Sequence, residues 1–135
     1  MSAVFLDTGY LIAIEAADDQ NHAAADQHWN SYRKALRPLV TTSFVLAEIV
    51  TFFNSRKRHE KAVEPGRMLL TSPSVRLVQV DETMFLRGWE YFQQRPDKTY
   101  SLTDCISFVL MQQHGITEAL TFDQHFVQAG FQKLP

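Results

Sequence analysis

The hydrophobic pattern of the chain alternates between short apolar runs and longer segments in which apolar residues recur at helical spacing. The run at 3–6 is continuously apolar, which is typical of a strand buried on both faces of a sheet. Because strands and helices alternate, the pattern predicts βαβ units and an α/β fold with a largely parallel sheet. The predicted strands are 3–6, 39–42, 75–80 and 118–122. The predicted helices are 8–17, 22–36, 44–53, 62–70, a segment following residue 81, a segment ending at 114, and 124–129.

Small polar residues and a glycine stand at the predicted helix boundaries, where they can satisfy free backbone groups. The residues placed to do so are Asp7 or Thr8, Ser43, Asp81 and Ser101 at helix starts, and Gly115 at a helix end. Asp104 follows Ser101 by three residues, which is the spacing of a capping box with Asp in place of Glu. These signals favour the helices but leave the roles of Asp7 and Asp104 open.

Four carboxylates occupy positions that a parallel sheet would bring to one edge. Asp7 and Asp123 follow predicted strands, and Asp104 opens a helix. With right-handed crossovers, the turns from strand to helix lie at the carboxyl ends of the strands, where ligands of α/β folds bind. A structural interpretation competes with this one, because an acid at the start of a helix also stabilises that helix.

Glu48 is the fourth acid, about a turn and a half into the helix that follows Thr42. This helix is apolar on nearly every face, which predicts that it is buried. A buried carboxylate needs a partner, since an unpaired buried charge costs several kcal/mol. The alternatives are a buried salt bridge, a position at the edge of a pocket, and a bound cation.

Composition adds limits to this picture. The chain has 135 residues, of which 45% are hydrophobic and 21% charged, which predicts one globular domain over 1–135. The net charge of −2 argues against a basic nucleic-acid binder, although Arg56–Lys61 forms a basic cluster that is either a solvated face or a phosphate-contacting patch. The single cysteine, Cys105, fits a reducing compartment, and no apolar run reaches membrane-spanning length. We therefore expect a cytoplasmic protein.

Four clustered carboxylates would repel one another and raise at least one pKa unless a cation neutralised them. An oxygen-rich site of this kind suits Mg²⁺ or Mn²⁺, whereas the histidine and cysteine spacings do not indicate zinc. Mg²⁺ held by carboxylates serves phosphodiester hydrolysis, in which it orients water and stabilises the leaving oxygen. The acids therefore indicate a metal-dependent phosphodiesterase or nuclease.

Four segments carry a resemblance to a known family, and they are VFLDTGYLIA, TTSFVLAEI, YSLTDCISF and LTFDQHF followed by AGF. They resemble, in order and separation, the four acidic motifs of the PIN-domain family, and the size is similar to VapC-type toxins of toxin-antitoxin pairs. The resemblance implies a three-layer α/β/α sandwich and Mg²⁺- or Mn²⁺-dependent endoribonuclease activity. It also implies an RNA substrate, a small antitoxin partner and a homodimer, for which Trp29, Tyr32, Trp89 and Phe92 are candidate contacts.

The resemblance carries over to particular residues. Asp7, Glu48, Asp104 and Asp123 match the family's acids as catalytic and metal-binding residues, with Glu48 expected at water distance from the metal. The supporting hydroxyls expected to hold carboxylates or waters are Thr8, Ser43 and Thr121. The alternative function is a catalytically silent PIN fold that binds RNA or a protein.

Overall fold

The computed structural model describes residues 2–135, whose strands form one five-stranded sheet in the order β3-β2-β1-β4-β5. All four pairings between neighbouring strands are parallel. The strands are β1 Val4–Leu6, β2 Leu39–Thr42, β3 Val75–Val78, β4 Glu118–Leu120 and β5 Gln132–Leu134. This sheet confirms the predicted α/β class and the parallel arrangement.

Seven α-helices connect the strands within residues 2–135. They are α1 Thr8–Glu15, α2 His22–Tyr32, α3 Ser43–Ser55, α4 His59–Thr71, α5 Glu82–Gln93, α6 Leu102–His114 and α7 His125–Gln128. Helix α1 packs against α2 and α3, and α3 packs against α4, whereas α6 packs against α5 and α7. With right-handed crossovers, the first four helices cover one face of the sheet and the last three cover the other, which is the predicted α/β/α sandwich. No helix in this part of the chain combines the length and apolar character needed to cross a bilayer.

Strand β1 lies at the centre of the sheet and at the point where the strand order reverses. All three of its residues are buried, which agrees with its unbroken apolar sequence. The chain runs from β1 outward through β2 to β3, then crosses back to β4 on the other side of β1. The crevice between the carboxyl ends of β1 and β4 is therefore the switch point where α/β folds bind ligands.

Several element boundaries differ from the predictions. The predicted helix at 22–36 ends at Tyr32 and continues only as a 3₁₀ turn, Arg33–Ala35, after which Leu36 adopts a left-handed φ of 54°. Helix α4 begins at His59 and includes Pro65, whereas the sequence predicted 62–70. Strand β5 was not predicted, because Gln132–Leu134 is a short edge strand with two polar residues out of three.

The structure confirms the predicted N-caps of α5 and α6, whereas the predicted N-cap of α3 is wrong. Asp81 accepts a hydrogen bond from the Met84 amide at the start of α5, and Ser101 and Asp104 form the predicted capping box of α6. The cap of α3 is Thr42 rather than Ser43, because Thr42 has extended backbone angles and its Oγ1 accepts from the Val45 amide at 3.2 Å. Ser43 is already the first residue of α3, so the helix begins one residue earlier than predicted.

The close approach of α5 to α6 leads to a stability prediction. A Cβ atom added at Gly88 would lie 2.5 Å from Ile106 Cγ1 and 3.3 Å from its backbone N and Cα atoms. Since helix backbone must move to admit it, Gly88→Ala should lower the free energy of unfolding by about 1–3 kcal/mol in urea titration. Gly9→Ala is the matched control, because its added Cβ meets no heavy atom within 4 Å among residues 2–135 other than its chain neighbours and the backbone of its own helix. Equal stability of the Gly88→Ala variant and the native chain would contradict this packing.

Candidate functional site

A cleft of about 560 Å³ opens at the carboxyl edge of the sheet, beside the switch point. All four acids that the sequence singled out line it, and they come from four different segments of the chain. The cleft is lined by Asp7, Thr8, Gly9, Ile12, Asp19, Asn21, Glu48, Phe52, Thr99, Ser101, Asp104, Phe122, Asp123 and His125. The fold therefore brings together acids that are up to 116 positions apart in the sequence, from Asp7 to Asp123.

Asp7 is the most deeply buried acid of the cleft, with 7% of its surface exposed. It occupies the position before α1, but its side chain makes no capping hydrogen bond. Instead, Asp7 Oδ2 accepts a 2.7 Å hydrogen bond from Thr121 Oγ1. Burial raises the pKa of Asp7 to about 7, helped by the negative charge of Asp104 and opposed by the Thr121 bond. The Asp7 side chain therefore does not cap α1, and its carboxylate faces the site.

Asp104 and Asp123 flank Asp7 and are held by backbone groups. Asp104 Oδ2 accepts from the Ser101 amide at 3.1 Å, and Asp123 Oδ1 accepts from the His125 amide at 2.9 Å. Burial raises the pKa of Asp104, and the charge of Asp123 adds to this effect, while the Ser101 bonds and His125 oppose it. Asp104 is therefore both a capping residue and a site carboxylate, so its two interpretations are compatible.

His125 joins these two acids and was not among the predicted site residues. Its Nδ1 lies 3.1 Å from Asp123 Oδ1 and 3.5 Å from Asp104 Oδ2. Despite these distances, the buried Nδ1 has no hydrogen-bond partner in the part of the chain that the structure describes, whereas Nε2 lies 3.0 Å from Thr99 Oγ1. The sequence signal was the spacing Asp-Gln-His, which places a ring two residues after a site acid at the start of α7.

Glu48 lies in the cleft but is exposed, which corrects the prediction of a buried acid. Helix α3 buries one stripe, Val45, Ile49 and Phe53, and its remaining apolar residues are only partly covered. Glu48 therefore needs no buried partner, and its Oε1 accepts a 2.9 Å hydrogen bond from Thr8 Oγ1. Apolar residues around the whole helix gave a misleading signal of complete burial.

Of the three hydroxyl residues expected to hold carboxylates or waters, two bind site carboxylates and one does not. Thr8 holds Glu48, and Thr121 holds Asp7 while its Oγ1 also accepts from the Asp123 amide at 3.0 Å. Ser43 does not line the cleft, and its Oγ accepts a 2.9 Å hydrogen bond from the Val80 amide. Ser43 thus ties the start of α3 to the segment after β3, rather than holding a carboxylate or capping the helix.

The donor set suits a divalent cation. Among residues 2–135, ligand atoms of Asp104, Asp123 and His125 all lie within 4.8 Å of one another, and Asp7 and Glu48 are outside this group. Raised pKa values at Asp7 and Asp104, together with an unpartnered buried His125 Nδ1, are what a positive charge in the cleft would relieve. Two carboxylates and an imidazole are ligands for Mn²⁺ and related ions, and the carboxylates also suit Mg²⁺.

Comparison with known proteins identifies the family. A sequence model of the PIN domain matches residues 4–132. The chain belongs to the PIN domain family. This PIN domain is also 33% identical, over 128 residues and 95% of each chain, to the 23S rRNA-specific endonuclease VapC20 of Mycobacterium tuberculosis. The family membership predicted from the four acidic segments is therefore confirmed.

Solved structures agree with this assignment. The crystal structure of Mycobacterium tuberculosis VapC20, described as a Sarcin-Ricin loop cleaving toxin, matches this PIN domain with a TM-score of 0.84, 32% identity and 96% coverage of each chain. VapBC2 from Rickettsia felis, bound to a promoter DNA fragment, matches with a TM-score of 0.71 and 12% identity over 98% of each chain. At that identity the second match shows the fold alone, which is the predicted three-layer PIN fold.

The raised pKa of Asp7 predicts how stability depends on pH in the absence of metal. Between about pH 4 and pH 7 the folded chain holds a proton on Asp7 that the unfolded chain releases, so stability falls as pH rises through this window. The shift from 3.8 to about 7 corresponds to at most ~4 kcal/mol. In EDTA at pH 8, Asp7→Asn should therefore raise the Tm, since an amide still accepts the Thr121 bond without carrying charge.

Thermal unfolding at several pH values measures this effect, with Asp97→Asn as the control because the Asp97 side chain is 75% exposed. The control should match the native chain at every pH. Mg²⁺ or Mn²⁺ should reduce the difference between the native chain and Asp7→Asn at pH 8, since the cation neutralises the carboxylate. A higher Tm for the native chain in EDTA than in metal at pH 8 would contradict a shared cation site.

Proposed function

We propose that this PIN domain is a metal-dependent endoribonuclease and the toxin of a VapBC-type toxin-antitoxin pair. The observation that carries the proposal is the convergence of Asp7, Glu48, Asp104 and Asp123 in one cleft at the switch point. Support comes from the similarity over 95% of the chain to a protein named as an rRNA-specific endonuclease. Four acids around a cleft suit phosphodiester hydrolysis with a divalent ion.

The proposed ligands of Mg²⁺ or Mn²⁺ are Asp7, Asp104 and Asp123, with Glu48 at water distance. When bound, the ion supplies positive charge to the scissile phosphate and lowers the pKa of a bound water. His125 Nδ1 faces Asp104 and Asp123, and we add it as a contributor to this site. Its nitrogen makes the donor set more favourable to Mn²⁺ than carboxylates alone would be.

The chain's own groups position the reaction. Thr121 fixes the orientation of Asp7 by donating to its Oδ2, and Ser101 fixes Asp104 through its backbone amide. Thr8 donates to one oxygen of Glu48, which leaves the other carboxylate oxygen to accept a hydrogen bond from an attacking water. Glu48 is exposed, so water and an RNA strand have access to it. Glu48 is therefore proposed to orient the nucleophilic water.

The proposed substrate is structured ribosomal RNA. The relative with 33% identity is named as 23S rRNA-specific, and the matching crystal structure is described as a Sarcin-Ricin loop cleaving toxin. A cleft of about 560 Å³ that is open to solvent suits a nucleotide displaced from an RNA loop. An enzyme that acts on such RNA works in the cytoplasm, which is the proposed location.

A groove of about 380 Å³ between α1, α2 and α4 is the candidate docking site for the proposed antitoxin partner. Apolar side chains dominate the lining, and Leu36 stands at its edge with 80% of its surface exposed. Related folds were solved as complexes named VapBC, among them VapBC-1 from Haemophilus influenzae. An amphipathic antitoxin segment would bury its apolar face in such a groove.

Of the four aromatic residues considered from the sequence, the proposed homodimer would use only the two on α5. Trp29 and Tyr32 lie on α2 and line the groove, whereas Trp89 and Phe92 lie on α5 in the opposite helical layer. Helix α5 presents Leu86, Trp89 and Phe92 with 52%, 44% and 40% exposure. An exposed apolar face of this kind is typical of an interface between subunits.

Cleavage is tested by incubating the purified chain with total cellular RNA in Mg²⁺ or Mn²⁺ and sequencing the new 5′ ends. Asp104→Asn should reduce cleavage by at least about 100-fold, since a metal ligand is lost while the amide retains the capping geometry. Asp97→Asn makes the same change of charge at a side chain that is 75% exposed and should cleave normally. EDTA should abolish the new ends.

The same experiment separates the enzyme from the silent alternative. If the native chain binds RNA and metal but produces no new ends, the PIN fold acts as a binding module and the proposed activity is wrong. New ends that persist in EDTA or in the Asp104→Asn protein would show a contaminating nuclease. A whole RNA pool is used because a narrow specificity would escape any single substrate.

The docking groove is tested by co-expressing the chain with the small antitoxin that the proposed function predicts to be encoded beside it. Leu36→Glu should reduce recovery of the complex by at least tenfold, because a charge would enter an apolar contact. Leu70→Glu is the matched control, since Leu70 is 65% exposed on α4 but does not line the groove. Equal loss of the partner in both variants would place the contact elsewhere.

A further inference from the structure

Helix α3 extends away from the cleft, and one of its faces carries a carboxylate, an aromatic ring and a guanidinium group. Glu48, Phe52 and Arg56 are spaced by four residues and therefore lie along one face, with steps of about 6 Å. Glu48 and Phe52 line the cleft, and Arg56 is next along the face at the end of the helix. An acid of the proposed site, an aromatic ring and a cation therefore follow one another along this face of α3.

Arg56 is held in a defined position by Phe52. Its guanidinium carbon lies 3.7 Å from the centre of the Phe52 ring, which is a cation–π contact. Its Nη1 donates to the Phe52 carbonyl at 3.1 Å and to Ser55 Oγ at 3.3 Å. Within residues 2–135, the other donors, on Nε and Nη2, make no hydrogen bond, so the edge of the guanidinium that carries them remains available to a ligand.

The basic cluster Arg56–Lys61 divides into paired and unpaired cations. Arg58 lies 3.5 Å from Asp18, and Lys61 lies 3.7 Å from Glu15, so both face acids that follow or end α1. Among the described residues, Arg56 makes no ion pair with a carboxylate. The cluster is thus partly a contact between helices, and among its cations without an ion pair within residues 2–135, Arg56 contacts the cleft residue Phe52.

We propose that Arg56, positioned by Phe52, binds a phosphate of the RNA strand that flanks the scissile phosphate. This inference rests on the proposed ribonuclease function and deepens it by naming a substrate-contacting residue. Two helical steps separate Arg56 from Glu48, about 12 Å along the helix axis, which places the contact on a neighbouring nucleotide. The free Nε–Nη2 edge matches the geometry of two phosphate oxygens.

The charge balance of the cleft gives Arg56 its importance. The chain has a net charge of −2, and the site itself is lined by acids, so RNA gains no overall attraction from the protein. A cation at the rim offsets the repulsion between the acids and the strand. A phosphate contact of this type strengthens binding to any sequence and releases counterions, so it is recognised by its salt dependence.

The test measures binding of purified 23S ribosomal RNA by the Asp104→Asn protein, which does not consume its ligand. In this background, Arg56→Gln should weaken binding about tenfold at low salt and reduce the slope of log K against log salt by about 0.7–0.9. Arg58→Gln removes the same charge from a paired residue and should change affinity by less than about twofold. Equal losses and equal slopes for the two variants would overturn the proposal.

Further variants separate contact with RNA from a structural role. Arg56→Lys keeps the charge but cannot form a bidentate hydrogen-bonded contact with phosphate. It should therefore retain the slope of log K against log salt and lose about threefold in affinity. Phe52→Leu keeps an apolar side chain but removes the ring that positions Arg56, and it should weaken binding nearly as much as Arg56→Gln. Each variant is checked by thermal unfolding. If Arg56→Gln alters the Tm and not the salt slope, Arg56 serves only to cap α3.

Failure of this inference and failure of the proposed function are distinguishable. Cleavage by the native chain is scored separately in Mg²⁺ or Mn²⁺, with the Arg56→Gln enzyme expected to show a raised KM and a nearly unchanged kcat. RNA binding that depends on Arg56 without any cleavage would overturn the ribonuclease and support the contact. Cleavage with an unchanged KM for Arg56→Gln would overturn the contact and support the ribonuclease.

Discussion

The hydrogen bond from Thr121 Oγ1 to Asp7 Oδ2, 2.7 Å long, is the contact on which the site depends. It joins the ends of β1 and β4, the two strands on either side of the switch point, at a position where both residues are buried. Without it, the buried carboxylate would lack the side-chain donor that it has among residues 2–135, at a cost of about 1–3 kcal/mol or more. Because the same hydroxyl accepts from the Asp123 amide, it sets the positions of two acids together.

Around this contact, the cleft concentrates negative charge in a way that opposes folding. Burial raises the pKa of both Asp7 and Asp104, and neighbouring carboxylates add to the effect. A core built for stability alone would place apolar residues at these positions. The arrangement is consistent with a site that is completed by a cation, since a positive charge converts mutual repulsion into shared attraction.

Helix α1 separates the acidic cleft from the apolar groove, and its side chains contribute to both. Tyr10 lines the groove, and its ring stacks on Phe122 of the cleft with centroids 5.7 Å apart. Its hydroxyl lies 2.7 Å from His28 Nδ1, which ties α1 to α2. The proposed sites for RNA and for an antitoxin therefore share one packed helix, while Arg56 contacts the cleft residue Phe52 at the end of α3.

Signals that depend on neighbours in the sequence were sufficient for much of the fold. The apolar run of β1, the capping box of Ser101 and Asp104, and the left-handed Gly115 with φ 65° all follow from local periodicity or backbone geometry. Strand β5 was missed because its pairing with β4 compensates for a weakly apolar sequence. Ser43 was misassigned because a one-residue shift in the start of α3 transfers the cap to Thr42.

The sequence by itself determined that four acids belong to one edge of a parallel sheet, because strand ends and right-handed crossovers follow from the order of the elements. Only the tertiary structure decided the burial and the hydrogen-bond partners of each acid. Asp7 is buried against Thr121, whereas Glu48 is exposed and bound to Thr8, and His125 completes a group with Asp104 and Asp123. These differences arise from contacts between residues distant in the chain, which no local pattern encodes.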